Sequence, residues 1–527
     1  MKIPALHSYA TLTVFLSLLL AGCASLPDHT QREESYAIAK AGTSELAQKI
    51  RTARENHPGK SGFHLLKGGV DALLARLTLA EKAEFSLDVQ YYIWHPDLAG
   101  AVFAQAMLSA ADRGVRVRIL LDDIGARAND QTLLALDSHP NIEVRLFNPV
   151  ASRSFRYLNM LLDFSRINRR MHNKAFIADN QAAIVGGRNI GDEYFDAPGA
   201  VVFGDLDVLT VGKVVPEISL SFDRFWNAPQ SLPISILVTD KPDDAGHAPL
   251  ARLQTDLSAY LNKQRNNPYI TQAQTQFELA LAQGDVPLEW GDAQLLYDVP
   301  DKIEQDPEQT TGHLLHQLSA VGPKIKDELL IVSPYFIPGK AGLAWLQGLS
   351  ARGVKVTVLT NSLAATDVAA VHAGYQQYRH ALLEAGVQLY ELKPDISHHP
   401  HAPKSMINKL LANSRASLHA KVFALDRSAI FIGSLNLDPR SVLLNTEIGV
   451  LCSSKELSED VVSGLEKSIA DIAWKVEQRK QENGNSHLVW VEQGSAGTLE
   501  INAEPQVGSW RKLSVWLLQW LPIESQL

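Results

Sequence analysis

The sequence predicts an α/β fold built twice: two homologous halves, each a mostly parallel β-sheet flanked by helices. Three observations carry that expectation. Arg113-Gly114-Val115-Arg116-Val117-Arg118-Ile119-Leu120 returns as Arg352-Gly353-Val354-Lys355-Val356-Thr357-Val358-Leu359, each time after a helical pattern and at the start of alternating apolar residues. His172-Asn173-Lys174-Ala175-Phe176-Ile177-Ala178-Asp179 returns as His419-Ala420-Lys421-Val422-Phe423-Ala424-Leu425-Asp426 at a constant offset of 247, and the match runs on through Gly186 and Gly433 to Asn189 and Asn436. A further strand pattern precedes each Gly-Val stretch, Phe85 to Trp94 and Leu329 to Ile337. Strand, helix and strand with short connections form a right-handed crossover onto a parallel neighbour.

The repeat divides the chain. Residues 61–235 form the first half and 311–480 the second, with a proline-rich, polar connector at 236–310 that shows no repeat partner. Residues 23–60 read as a tether and 481–527 as a tail ending in a helix. In that helix Leu513, Trp516, Leu517 and Trp520 fall at i, i+3, i+4 and i+7, an apolar stripe beside Arg511 and Lys512. It packs as a closing helix or lies in a membrane interface, where tryptophan is favoured.

At 527 residues, 46% hydrophobic and 20% charged, the composition is that of a folded chain, and the net charge of −9 weighs against a polyphosphate partner such as nucleic acid. The first 22 residues read as a signal peptide: Lys2, an apolar run from Ala10 to Leu20, then small residues. That run is too short to span a bilayer, which takes ~20 residues. Leu20-Ala21-Gly22-Cys23 matches a lipobox, so Cys23 is the expected lipidation site and the anchor to the membrane. Ala24, not Asp, follows it, the pattern that sorts to the outer membrane facing the periplasm. Cys452, the other cysteine, has no partner left and reads as a buried strand residue.

Alternation along an extended segment places His172 and Lys174 on one face, and likewise His419 and Lys421. A turn at Asp179 or Asp426 then sends the chain back to deliver Asn189 or Asn436 about one strand later. Converged, Lys174, Lys421, Asn189 and Asn436 donate to a phosphate's non-bridging oxygens, while His172 and His419 stand on opposite sides for in-line chemistry. This donor set neutralises a phosphate without a metal, and no cofactor is expected. The cluster His398, His399 and His401 reads as a polar loop, and Gly68-Gly69 as a turn before a helix.

The paired pattern resembles the phospholipase D superfamily signature, H-x-K-x4-D followed by a small-residue turn and Asn. His172, Lys174, Asp179, Gly186, Gly187 and Asn189 carry it in the first copy, and His419, Lys421, Asp426, Gly433, Ser434 and Asn436 in the second. Gly187 departs from Ser434 at the same position. Over residues 61–527 the chain is similar to bacterial cardiolipin synthases, most of all their C type, in Val89-Gln90-Tyr91-Tyr92-Ile93-Trp94, in Val371-His372-Ala373-Gly374-Tyr375 and in Leu437-Asp438-Pro439-Arg440-Ser441. The resemblance implies one active site shared by both halves, with His172, Lys174, Asp179, His419, Lys421 and Asp426 as its signature residues. It makes His172 the nucleophile, giving a phosphohistidine, and His419 the general acid and base. Asp179 and Asp426, seven positions past their histidines, read as turn or ion-pair residues. Each imidazole needs a carboxylate to hold its tautomer. Glu447, 28 residues after His419, matches the family's orienting position, and Asp207 is its counterpart in the first half.

The implied activity is phosphatidyl transfer between two phospholipids, phosphatidylglycerol and phosphatidylethanolamine, to make cardiolipin. A phospholipase D using water in place of an alcohol has the same residues. A periplasmic nuclease and a non-catalytic envelope lipoprotein are the remaining classes. The charge and the lipobox oppose the first; the intact motifs oppose the second.

Overall fold

In the computed structural model, the described residues are 26–27, 33–126, 129–153, 162–197, 202–238, 249–271, 286–320, 324–394, 416–481, 486–494 and 497–520, with 156, 160, 275 and 526 as single positions. The expected signal peptide, Cys23, and His398, His399 and His401 lie outside them.

The repeated Gly-Val stretches end helices. Helices Leu98–Asp112 and Gly339–Ala351 stop at Gly114 (φ 94°) and Gly353 (φ 87°), in the left-handed region that glycine enters without a Cβ clash. The Val115 and Val354 N–H groups then reach back to Ala110 O and Leu349 O (3.1 and 3.2 Å), turning the chain directly into a strand.

The first half contributes β1 (Ser61–Leu66), β2 (Ser86–Tyr91), β3 (Arg116–Asp122), β4 (Ile142–Phe147), β5 (Ala175–Ala178), β6 (Ala182–Gly186), β7 (Val202–Gly204), β8 (Asp207–Gly212) and β9 (Ser231–Pro233). The second contributes β10 (Glu289–Tyr297), β11 (Glu328–Val332), β12 (Lys355–Asn361), β13 (Gln388–Leu392), β14 (Ala416–Leu418), β15 (Val422–Leu425), β16 (Ala429–Gly433), β17 (Ile448–Ser453), β18 (Ala473–Lys480), β19 (Ser486–Gly494) and β20 (Gly497–Ile501). Eighteen of these strands join one sheet. Outward from its centre the first half runs β1, β8, β6, β5, β2, β3, β4, β9. The second runs β10, β17, β16, β15, β11, β12, β13, β18 in the same order. An antiparallel pairing of β1 with β10 joins the two.

Three expectations need correction. Within that sheet only β2–β3–β4 and β11–β12–β13 run parallel, so the halves are mixed and not mostly parallel. The motif strands turn back at once, and tight turns connect only antiparallel neighbours. The stretch read as a connector holds β10, which occupies in the second half the place of β1 in the first. Its run Glu289 to Tyr297 is exposed at Glu289, Asp292 and Gln294, too polar to register as a buried strand. Finally, the tail extends the sheet through β19 and β20 before its helix, and the tether is partly docked, with Ala37 N–H donating to Asp223 Oδ2 (2.9 Å) and Arg118 to Ser35 O (2.7 Å).

Three apolar layers hold the arrangement. One lies on the outer face of each half. The third is shared: Ala175, Ile177, Phe222 and Trp226 from the first half meet Val422, Ala424, Val461 and Leu465 from the second. Burial of such side chains contributes roughly 1.5–3 kcal/mol each, which fixes the two motifs against one another.

Candidate active site

Both motifs lie at the inner edge of this shared layer, just before β5 and β15. His172 N–H donates to Thr446 O (2.9 Å), and His419 N–H to Gly204 O (2.8 Å), so each histidine backbone is pinned by the opposite half. The side chains follow suit. His172 Nδ1 sits 3.0 and 2.9 Å from the two oxygens of Glu447, and His419 Nδ1 sits 2.6 Å from Asp205 Oδ2. Tyr92 lies edge-on to His172, its centroid 5.1 Å away; Phe203 stacks on His419 at 5.2 Å and Tyr194 meets its edge at 5.2 Å. With Nδ1 and the ring faces held, Nε2 is the atom of each ring left for chemistry.

The carboxylate assignments therefore change in two ways. Glu447 orients His172, not the His419 of its own half. Asp205, not Asp207, holds His419. Asp207 is spent on the fold: Oδ2 accepts from Arg76 (2.9 Å), Arg188 N–H donates to Oδ1 (3.2 Å), and pair members Asp207 and Arg76 are sealed from solvent. Sheet register exposes the reason. Gly186 pairs with Asp207 where Gly433 pairs with Gly449, so Asp207 corresponds to Gly449, and Glu447, two residues earlier, corresponds to Asp205. Sixteen positions separate Asn189 from Asp205 but eleven separate Asn436 from Glu447, so the constant offset fails at this point. Counting two residues back from the returning strand would have found Asp205.

The same register accounts for Gly187 opposite Ser434. A Cβ on Gly187 would lie 2.2 Å from Asp205 Oδ1, so the carboxylate fills the space a side chain would need. In the second half Ser434 Oγ instead donates to Glu447 Oε2. Gly187→Ala is expected to displace Asp205 and lower turnover by about 10²-fold, the effect of misplacing a reacting group by ~1 Å. Steady-state kinetics on a soluble phosphodiester checks it.

Lys174 Nζ donates to His172 O (2.6 Å) and lies 5.5 Å from the Tyr92 centroid; Lys421 Nζ lies 3.0 Å from His419 Nδ1 and also meets His419 O. Burial, opposed by Glu447, depresses the Lys174 ammonium well below its usual range, and burial brings Lys421 down to about 8. Burial and then the Lys174 and Lys421 charges hold His172 well below its ordinary value, so that ring is neutral near pH 7. His419 is lowered too, by burial and Lys421, with Asp205 opposing. Burial raises Glu447 to about 7, whereas Asp205 stays low because His419 and then Lys421 outweigh its burial. The two imidazole–carboxylate pairs are thus unequal.

The asparagines also differ. Asn189 is committed, accepting from Ile93 N–H (3.1 Å) and donating to Tyr194 OH (3.0 Å). Asn436 Oδ1 is buried without a hydrogen-bond partner among the described residues. Asp179 and Asp426, carried in the signature set, stand away from the imidazoles. Asp179 accepts from the N–H groups of Glu84, Phe85 and Ser86 (3.0, 2.8 and 2.9 Å), and Asp426 from Lys326, Asp327 and Glu328 (3.0, 2.9 and 2.9 Å). Both adopt positive φ (51° and 50°), so they shape the turn and tie it to the neighbouring strand. Behind Glu447, the Asp298 carboxylate accepts the Glu447 N–H (2.9 Å) and pairs with Lys302 (2.9 Å), a buried support that no motif announced.

A domain described as cardiolipin synthase, PLD-like domain, matches residues 77–226 and 323–469, and the two stretches take in both histidine motifs. Cardiolipin synthase C of Escherichia coli (strain K12) is 41% identical over 486 residues, 91% of this chain and 99% of that protein. Cardiolipin synthase A of Pseudomonas putida is 27% identical over 404 residues, 76% of this chain and 66% of its own. Among solved structures, phosphatidylserine synthase of Haemophilus influenzae superposes with a TM-score of 0.52 at 14% identity, covering 89% of this chain and 95% of that one, a likeness of fold. Two motif-bearing matches and an almost end-to-end relative agree with the doubled site, and the chain belongs to the cardiolipin synthase family of phospholipase D-superfamily enzymes.

Proposed function

We propose that the two halves act as two lobes around one active site and that the chain is a phosphatidyltransferase, making cardiolipin from phosphatidylglycerol and phosphatidylethanolamine. The observation that carries this reading is the exchanged pair of carboxylates, which leaves two imidazoles with Nε2 directed to chemistry. Neutral His172 attacks phosphorus through Nε2. The P–N bond forms as the P–O bond to ethanolamine breaks, and His419, in the protonated form that Asp205 favours against its burial, supplies the leaving oxygen with its proton. A glycerol hydroxyl of phosphatidylglycerol then gives its proton to His419 and attacks phosphorus, breaking the P–N bond. Lys174, Lys421 and Asn436 are the proposed donors to the phosphate, with Asn189 holding Ile93 and Tyr194 behind them. The name of the Escherichia coli relative supports the substrate class. Attachment through a lipidated Cys23 and a periplasmic, outer-membrane location belong to this reading as well. Among the described residues no helix is long and apolar enough to cross a membrane.

Mass spectrometry of lipids from cells overexpressing the chain tests it. New cardiolipin with released ethanolamine is expected; phosphatidic acid in place of cardiolipin would assign hydrolysis. Quenching in alkaline denaturant, where a P–N bond survives, should trap phosphate on His172, and label on His419 would reverse the roles. Activity should persist in a chelator.

The pH dependence follows from the lysines. Lys421 carries its charge below about pH 8 and loses it above, so kcat/KM is expected to fall on the alkaline side near pH 8. In Lys421→Arg, whose guanidinium stays charged, the residual activity should lose that limb. An unchanged limb would place the titration elsewhere.

A further inference from the structure

The C-terminal helix Ser509–Leu518 is fastened along one side only. Val515 is buried against Leu363 and Ala373, and Arg511 donates to Thr366 O (2.5 Å). Its other side carries Trp510, Leu513, Trp516 and Leu517, with Trp520 just beyond its end, all exposed; Trp510 is 81% and Trp520 75% accessible. The stripe expected from the sequence therefore does not close onto the body.

Position gives this face its meaning. Thr366 precedes Asp367, which accepts from Tyr335 OH (2.8 Å) and whose charge acts on Lys421. After the helix, Gln526 meets Asn168 and Arg440, beside the Arg170-Met171-His172 segment. There the short helix Phe164–Ile167 exposes Phe164, and Leu162 is exposed just ahead of it. Exposed apolar side chains thus stand on segments of each half that lead directly to site residues, Leu162 and Phe164 ahead of His172 and the C-terminal helix against the Thr366-Asp367 stretch. Tryptophan rings favour the headgroup zone of a bilayer, and a contiguous exposed apolar face marks an interaction site. With a net charge of −9 the chain is not drawn to an anionic surface as a whole, so capture falls to this face.

We propose that the C-terminal helix lays its tryptophan face into the interface of a phospholipid bilayer and so sets the mouth of the histidine site against the membrane surface. The consequence for catalysis rests on the lipid-substrate reading above; the docking is measured separately from it.

The full chain is mixed with phosphatidylglycerol and phosphatidylethanolamine vesicles whose acyl chains carry bromine, which quenches tryptophan emission at bilayer depth. A quenched fraction is expected that disappears in the triple variant Trp510→Phe, Trp516→Phe, Trp520→Phe. Emission that stays unquenched, or quenching equal in the two proteins, overturns the docking and leaves the face to a protein partner. In a second variant, Leu513→Ser with Trp516→Ser and Leu517→Ser, turnover of vesicle lipid is expected to fall about tenfold. Hydrolysis of soluble bis(p-nitrophenyl) phosphate and the thermal midpoint should stay as in the parent protein. A parallel fall in the soluble reaction would make the helix a support of the site and overturn the proposal. Failure of the parent protein to act on either substrate would sink the catalytic reading, while the quenching still decides the docking.

Discussion

His172→Ala and His419→Ala should each lower turnover by roughly 10⁴-fold or more, because groups that act as a unit are not worth half each. One imidazole without the other either lacks a nucleophile or leaves the departing alkoxide unprotonated. The fold should survive both changes. The rings lie in a partly polar site, and the shared apolar layer between the halves does not include them. The measurement is single-turnover release from a soluble phosphodiester, with circular dichroism to confirm the fold. Activity within tenfold of the parent protein in either variant would remove the site from consideration.

A second large effect separates two aspartates that lie two positions apart. Asp205→Asn leaves a hydrogen-bonding group of the same size beside His419 but no longer favours the Nδ1–H tautomer or the imidazolium. Turnover is expected to drop by about 10³–10⁴-fold with little loss of stability. Glu447→Gln should do the same through His172. Asp207→Ala should do the opposite: it leaves the Arg76 guanidinium buried without its partner, and uncompensated charge of that kind costs about 3–5 kcal/mol. The thermal midpoint should fall steeply in that variant. If Asp207→Ala proves stable but inactive while Asp205→Asn is nearly normal, the geometry described for His419 is wrong.

These two aspartates also mark the limit of what the sequence discloses. The duplication, the motif histidines and lysines, and the crossover strands were legible because they recur at one spacing and rest on local rules: a left-handed glycine after each helix, and alternation along each strand. Asp205 was not, because its role depends on which residue faces Gly187 across a hairpin, and five additional residues in the preceding loop break the offset there. Exchange of carboxylates between halves was hidden for a related reason. Sequence proximity suggests that Glu447 serves His419, whereas the partner is set by how the shared layer seats one half on the other. Strand β10 escaped because a half-exposed strand has no continuous apolar run; its place is decided by β1 and β17 on either side. Asn189 matched the signature yet is used to hold Ile93 and Tyr194, a structural duty invisible in a motif.

The carboxylate exchange bears on how the protein matures. The His172–Glu447 contact spans 275 positions and the His419–Asp205 contact 214. Loops of this length close late, since the entropy of closure is lost before any contact offsets it. Each half has its own apolar layer and is able to collapse early, but an imidazole in an early half has no carboxylate to select its tautomer. During refolding, secondary structure and tryptophan burial should therefore return before phosphodiesterase activity, with the lag set by docking of the halves. A newly made chain would be chemically silent until its last long-range contact forms, so a partly folded intermediate would not attack the phosphodiesters around it.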